Sequence, residues 1–133
     1  MYDKSDVKMN IVLSVKSQFV EKILSKEKRY EFRKIIPKRE VEKVFIYSSV
    51  PDKKIVGYFN YDVVIEDSPT NLWNMCCEYG GISHDDFFDY FKDKTRGYAI
   101  EIADLNIFDN PIDVNTLENF MAHQSFQYID YEF

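Results

Sequence analysis

The sequence predicts an α+β fold, a mixed β-barrel of about six strands with two to three helices packed around it. Three observations predict it. Short apolar runs, β-branched or alternating, recur along the chain as strands do. Between them lie stretches whose apolar residues fall at helical spacing. The chain has 133 residues, 45% of them hydrophobic, and only 4 Gly and 4 Pro interrupt it, which is the length and texture of one folded unit rather than two or of a disordered chain. Residues 1–133 are therefore expected to form a single domain, with 1–8 as a loose lead-in. So short a chain has few ways to hide its sheet edges, and closure into a barrel is the simplest.

The elements follow in order. Met9 to Val15, MNIVLSV, is apolar and β-branched like a buried strand. Ser17 has the chemistry of an N-cap, and Phe19, Val20, Ile23 and Leu24 then mark one helical face, with Glu21 and Lys22 left to solvent. From Lys28 to Lys34 the chain alternates: Tyr30 and Phe32 share one side, Arg29, Glu31 and Arg33 the other. A polar connection around Pro37 leads to a third strand over Val44 to Ser49, and Pro51-Asp52 turns the chain. Ile55 to Ile65 reads as one long strand in which Gly57 marks a bend or a close approach.

Two helices are expected next. Ser68-Pro69 opens one carrying Leu72, Trp73, Cys76 and Cys77, and Gly80-Gly81 closes it. Ser83, with Asp86 three residues on, resembles a capping box for the second, whose apolar stripe is Phe87, Phe88 and Phe91. Arg96 to Phe108 is strand-like, but its apolar parity shifts, and one extra residue near Ala103-Asp104 would restore register as a bulge. A helical turn near Leu117, Phe120 and Met121 and a strand in QSFQYIDYEF complete the chain.

Charge is divided unevenly. Residues 1 to 54 carry 14 Lys+Arg against 8 Asp+Glu, which leaves 3 against 15 for residues 55 to 133 within a net charge of −6. A basic half joined to an acidic half points to an anionic partner confined to one face; a solvated surface explains the split as well. No apolar run approaches the roughly 18 residues of a membrane span, and MYDKSDVKMN lacks the apolar stretch of a signal peptide, so no membrane contact and a cytoplasmic location are expected. Adjacent Cys76 and Cys77 read as reduced thiols on a buried helical face. His84 and His123 have no metal-ligand spacing, so no metal is expected, and both read as surface or capping groups. No Gly-rich phosphate loop is present and no cofactor is implied.

The stretch richest in chemistry is ILSKEKRYEFRK, Ile23 to Lys34, where a helix ends, a basic turn follows and a strand begins with alternating charges. It resembles the signature of the ASCH family, a branch of the PUA-like proteins: Gly, any residue, Lys, two residues, Glu, any residue, Arg. Lys28, Glu31 and Arg33 match it, and LSVKS, ending at Lys16, resembles the family's first strand. The family's Gly falls at Lys26, so a residue with a side chain must make that turn. YSS (Tyr47 to Ser49), KKIVGYF, RGYAIEI and HQSFQYI extend the likeness over about residues 9 to 130. The resemblance implies a PUA-like barrel with a charged cleft at its mouth, serving RNA or a modified nucleotide.

On that expectation the ligand-binding residues are Lys16, Lys28, Glu31, Arg33, Tyr47, Ser48, Ser49 and Gln124. Arg33 grips a phosphate through its planar fork, the lysines act as point charges, and Ser48, Ser49 and Gln124 supply neutral hydrogen bonds. Lys22, Lys26, Arg29, Lys34, Lys38, Arg39 and Lys43 surround them, with Tyr30 and Tyr47 interleaved as single-stranded RNA would require. The bland alternative is a buried ion-pair network with no ligand.

Two further possibilities stay open. The first is a hydrolase acting on acylated nucleosides or RNA, with Lys28 and Glu31 catalytic. One branch of the family uses a Lys, a Thr and a Glu to remove acyl groups from modified cytidines; Lys28 matches that Lys, but Glu31 stands where the Thr would be. The second is an accessory domain whose acidic half, Asp85, Asp86, Asp89 and Asp93 included, docks a protein partner.

Overall fold

The computed structural model describes residues 8–118, 120–122 and 124–133. His123 and residues 1–7, most of the expected lead-in, lie outside the described residues. The elements are β1 (Met9–Val15), α1 (Ser17–Leu24), β2 (Tyr30–Arg33), β3 (Val41–Ser48), β4 (Lys54–Asn60), β5 (Val64–Asp67), α2 (Pro69–Cys76), α3 (His84–Tyr90), β6 (Gly97–Glu101), β7 (Ala103–Asp113) and β8 (Phe126–Ile129). Short 3-10 turns follow α2 at Cys77–Tyr79 and β7 at Val114–Thr116. Among the described residues, no helix is long and apolar enough to cross a membrane.

Among the described residues, eight strands form two sheets rather than one closed barrel. The larger has the order β7-β4-β3-β1-β8, with β1 and β3 parallel and the other neighbours antiparallel; the smaller has the order β2-β6-β5. The expected long strand over Ile55 to Ile65 is in fact β4 and β5, which belong to different sheets. The chain leaves the ladder at Tyr61 to Val63, just past Asn60 and around Asp62, both poor strand formers. A second transfer falls at Ile102, between β6 and β7. There the expected bulge is present: β7 advances from Ala103 to Asn106 while β4 moves only from Asn60 to Tyr58, and Asp104 takes φ 53.

Strand alternation sorts the apolar residues into three cores. Ile11, Leu13 and Val15 of β1, Val44 and Ile46 of β3, Phe59 of β4 and Ile100 of β6 meet Val20 and Ile23 of α1 between the sheets. Val12, Phe45, Tyr47 and Ile55 face the other way and are covered by Val114, Phe120 and Phe133. Phe32 and Ala99 look out from the smaller sheet onto Leu72, Cys76, Phe87 and Phe91 of the helical layer. Each fully buried large side chain contributes about 1.5–3 kcal/mol, which is what fixes these faces. Gly57 is a close approach: a Cβ there would collide with the Asn106 carbonyl of β7.

Helix starts follow the sequence with one exception. Ser68 accepts from the Asn71 N–H with Pro69 behind it, and Ser83 accepts from the Asp86 N–H. Ser17, however, is the first helical residue; Lys16 occupies the cap and makes no side-chain cap bond. Cys76 is buried and Cys77 exposed, because the chain tightens to a 3-10 turn at Cys77 and rotates it off the apolar face.

Candidate functional site

Strand alternation in β2 creates the site. Tyr30 and Phe32 pack into the helical core, so Glu31 and Arg33 must project into the space between the sheets, towards the end of β1. Just before β2, backbone bonds from Lys28 N to Lys22 O, from Arg29 N to Tyr79 O and from Ile102 N to Arg29 O (3.0, 2.7 and 2.9 Å) fix the loop that carries Lys28. The Lys28 stem runs over Gly81, where an added Cβ would lie 2.6 Å from that of Lys28 and φ is +64. Glycine is required there twice over, for conformation and for room.

Lys28 is 3% exposed and Glu31 6%. The Lys28 ammonium donates to the Gly80 carbonyl at 2.6 Å, stands 3.7 Å from Glu31 Oε1, and lies 4.9 and 5.4 Å from the ring centres of Phe32 and Phe19. Glu31 Oε2 accepts from Arg33 Nε at 3.0 Å and Nη2 at 2.5 Å, and Nη2 also donates to the Ser14 carbonyl at 2.7 Å. Burial pushes the Lys28 pKa below its ordinary value; Arg33 and Lys22 push the same way, and Glu31 opposes them. Much of the Arg33 fork is already engaged, so Arg33 acts as a fixed positive charge more than as an open clamp.

These groups line a cleft of about 230 Å³ formed by Ser14, Val15 and Lys16 with Lys28, Glu31 and Arg33, walled by Phe19, Phe32 and Ile82 and completed by Tyr90 and Gln124. Lys16 is exposed on its rim. Tyr90, from α3, has no counterpart in the sequence expectations. Burial raises its phenol pKa, against the opposing pull of Arg33 and with Glu31 adding to the rise, and the Lys34 ammonium sits 4.6 Å from its ring centre. The available signal was position: an aromatic with a polar tip beside the buried stripe of Phe87 and Phe91.

Of the expected ligand residues, Lys16, Lys28, Glu31, Arg33 and Gln124 share this cleft. Tyr47 and Ser49 line an adjoining cavity of about 410 Å³ that shares Ser14, Val15, Lys16 and Gln124 with it. Tyr47 is 5% exposed and packs on Phe120, and Tyr30 packs against the helical core, so neither ring is an open platform. Ser48 lines neither cavity. It is fully buried and its Oγ bonds Asp52 Oδ2 at 2.8 Å, because alternation along β3 sends it inward with Val44 and Ile46. The outer basic residues also divide: the backbone N–H groups of Lys38 and Arg39 donate to the Tyr128 hydroxyl, the Arg39 guanidinium lies 5.7 Å from that ring's centre, and Lys43 pairs with Glu132. Among the described residues, no group of three His, Cys, Asp or Glu stands close enough to hold a metal.

Two sheets packed in this way are also the fold of solved ASCH proteins. The crystal structure of ASCH from Zymomonas mobilis superposes with a TM-score of 0.81 over 90% of this chain and 87% of that one, at 24% identity. Among curated proteins the chain is 25% identical over 113 residues to an ASCH domain-containing ribonuclease from Zymomonas mobilis, covering 84% of this chain and 76% of that protein. It is 26% identical over 123 residues to a protein of Ureaplasma parvum named ATP synthase subunit alpha, covering 92% of this chain but only 15% of that protein's length. No protein-family profile matches the chain.

Proposed function

We propose that the cleft binds single-stranded RNA or a modified nucleotide derived from it. The observation that carries this is the desolvation of three charges, Lys28, Glu31 and Arg33, on the floor of an open cleft with a free-standing lysine, Lys16, at its rim. Apolar residues would build the same floor at lower cost, whereas fixed cations in a partly dry site hold a phosphate or carbonyl oxygen well. Its volume lies below the ~300–1,000 Å³ of pockets that enclose a drug-sized molecule, so it accommodates part of a nucleotide and leaves the polymer outside. The likeness to a protein named a ribonuclease supports RNA as that polymer.

Fluorescence anisotropy with a labelled single-stranded RNA tests the reading. Wild type is expected to bind, more weakly as salt rises, and Lys16→Ala to bind more weakly than wild type with an unchanged fold. Absence of binding at low salt, or binding indifferent to both salt and Lys16, overturns it.

A second reading is cleavage of the bound RNA, favoured by the lowered Lys28 pKa, which brings a proton donor and acceptor closer to neutrality. In it, Glu31 Oε1, the oxygen not held by Arg33, takes the proton of a 2′-hydroxyl, which attacks its own phosphate. Lys28 steadies the developing charge and gives a proton to the 5′-oxygen as its bond to phosphorus breaks, leaving a 2′,3′-cyclic phosphate. A substrate with 2′-deoxyribose at the scissile position must then bind but resist cleavage; equal cleavage of both excludes this route. Hydrolysis of acylated nucleosides is the weaker alternative, because Glu31 occupies the threonine position and is engaged with Arg33.

A further inference from the structure

A second cavity, of about 350 Å³, borders the same Lys28. Ile23, Ile102 and Leu105 give it apolar walls, Lys26 and Arg29 bring two cations, and Asp104 a carboxylate. Among the described residues Asp104 forms no ion pair with those cations; its Oδ2 accepts from Asn60 Nδ2 at 3.0 Å. Among the described residues neither Lys26 nor Arg29 forms an ion pair, in contrast with Lys28, Arg33, Lys43 and Arg96. Arg29 is nonetheless held in place. Its guanidinium carbon lies 4.1 Å from the Tyr79 ring centre, and its Nε donates to the Lys26 carbonyl at 3.4 Å.

Lys26 itself has φ 68, in the left-handed region that glycine occupies without penalty. The fold alone would favour glycine at this turn after α1. A lysine kept there against backbone preference, its side chain lining a cavity beside a second unpaired cation, fits a role for the side chain rather than for the turn.

We infer that the Lys26 and Arg29 cavity is a second phosphate subsite, which takes the nucleotide adjacent to the one held in the cleft. The inference rests on the RNA reading and extends it: Lys28 is the wall the two cavities share, so a strand leaving the cleft past Lys28 meets the two free cations next. The apolar walls suit the face of a base or ribose.

The test compares a labelled single-stranded octanucleotide RNA with an RNA mononucleotide, on wild type, Lys26→Gly and Arg29→Gln. Lys26→Gly relaxes the backbone, so a loss of affinity in it cannot come from unfolding. The octanucleotide is expected to bind each variant several-fold more weakly, with a salt slope shallower by about 0.7 for the one phosphate contact removed. The mononucleotide, which fills the cleft alone, is expected to bind as it does to wild type. Octanucleotide binding to both variants with wild-type affinity and slope overturns the subsite while leaving the cleft reading intact. Equal weakening of both ligands overturns it too, by assigning the cations to the cleft. Failure of wild type to bind either ligand removes the cleft reading and the subsite with it.

Discussion

Lys28 and Lys43 are both paired with glutamates, and their surroundings drive them in opposite directions. At Lys28 burial dominates, so the ammonium loses its proton more easily than an ordinary lysine. At Lys43 the hydrogen bond to Glu132 dominates, in solvent, and holds the proton on. One pair sits on the floor of a cleft and its Glu31 also carries Arg33; the other joins β3 to the chain beyond β8, with Glu132 58% exposed. The contrast teaches that a charge pair in this protein is informative by its cost and not by its presence. Of the two, only the Lys28 site holds charge where desolvation is expensive.

The largest effect is expected from Glu31→Ala, which strands two cations that now share one carboxylate. Urea unfolding should show a loss of about 3–5 kcal/mol, the usual result of removing one partner from a buried pair; a loss under ~1 kcal/mol would mean that water already screens the site.

Lys28→Met is expected to matter less at neutral pH, because Glu31 keeps Arg33 and the apolar stem is preserved. Its pH dependence sharpens the comparison. Between the lowered folded pKa and the unfolded value of 10.5, the unfolded chain binds more protons at this site than the folded one. Stability therefore rises with pH across that window. Wild type should gain on Lys28→Met as the pH is raised while still below 10.0, and parallel curves would contradict the shift. The upper limit stays below the tyrosines: Tyr30, Tyr47, Tyr61 and Tyr90 are all raised above 10.0 by burial and act in the opposite sense at higher pH.

Lys43→Ala is expected to leave the thermal midpoint unmoved at neutral pH, as exposed pairs usually do. Its raised pKa places any contribution below that value, lost only as the pH climbs past 10.5. A clear drop in midpoint would show this surface pair to be more than decoration and would erase the contrast with Lys28.

Much of this was legible in the sequence wherever a local rule decides the outcome. Met9–Val15 is a strand with those very ends, Ser68 and Ser83 cap their helices, and the parity break at Ala103-Asp104 is a bulge. The Lys28, Glu31 and Arg33 cluster was legible too, since alternation puts Glu31 and Arg33 on one face of β2. What alternation does not report is which sheet a strand joins. Ile55 to Ile65 reads as one strand, yet it serves two sheets, and the barrel expected from the need to hide sheet edges is two layers. Ser48 was expected in the cleft because small hydroxyls end β3, but its parity is that of Val44 and Ile46. Tyr90 was missed because it arrives from a helix some sixty residues away in sequence, and only packing places it opposite Arg33.

The measurement that bears most directly on the whole account is the affinity of a single-stranded RNA for wild type and for Lys28→Met at low and physiological salt, with circular dichroism to verify that both are folded. The cleft account predicts that the folded methionine variant loses most of the binding and part of its salt dependence. Equal affinity in two folded proteins would place the RNA elsewhere and leave the buried charges as structure alone.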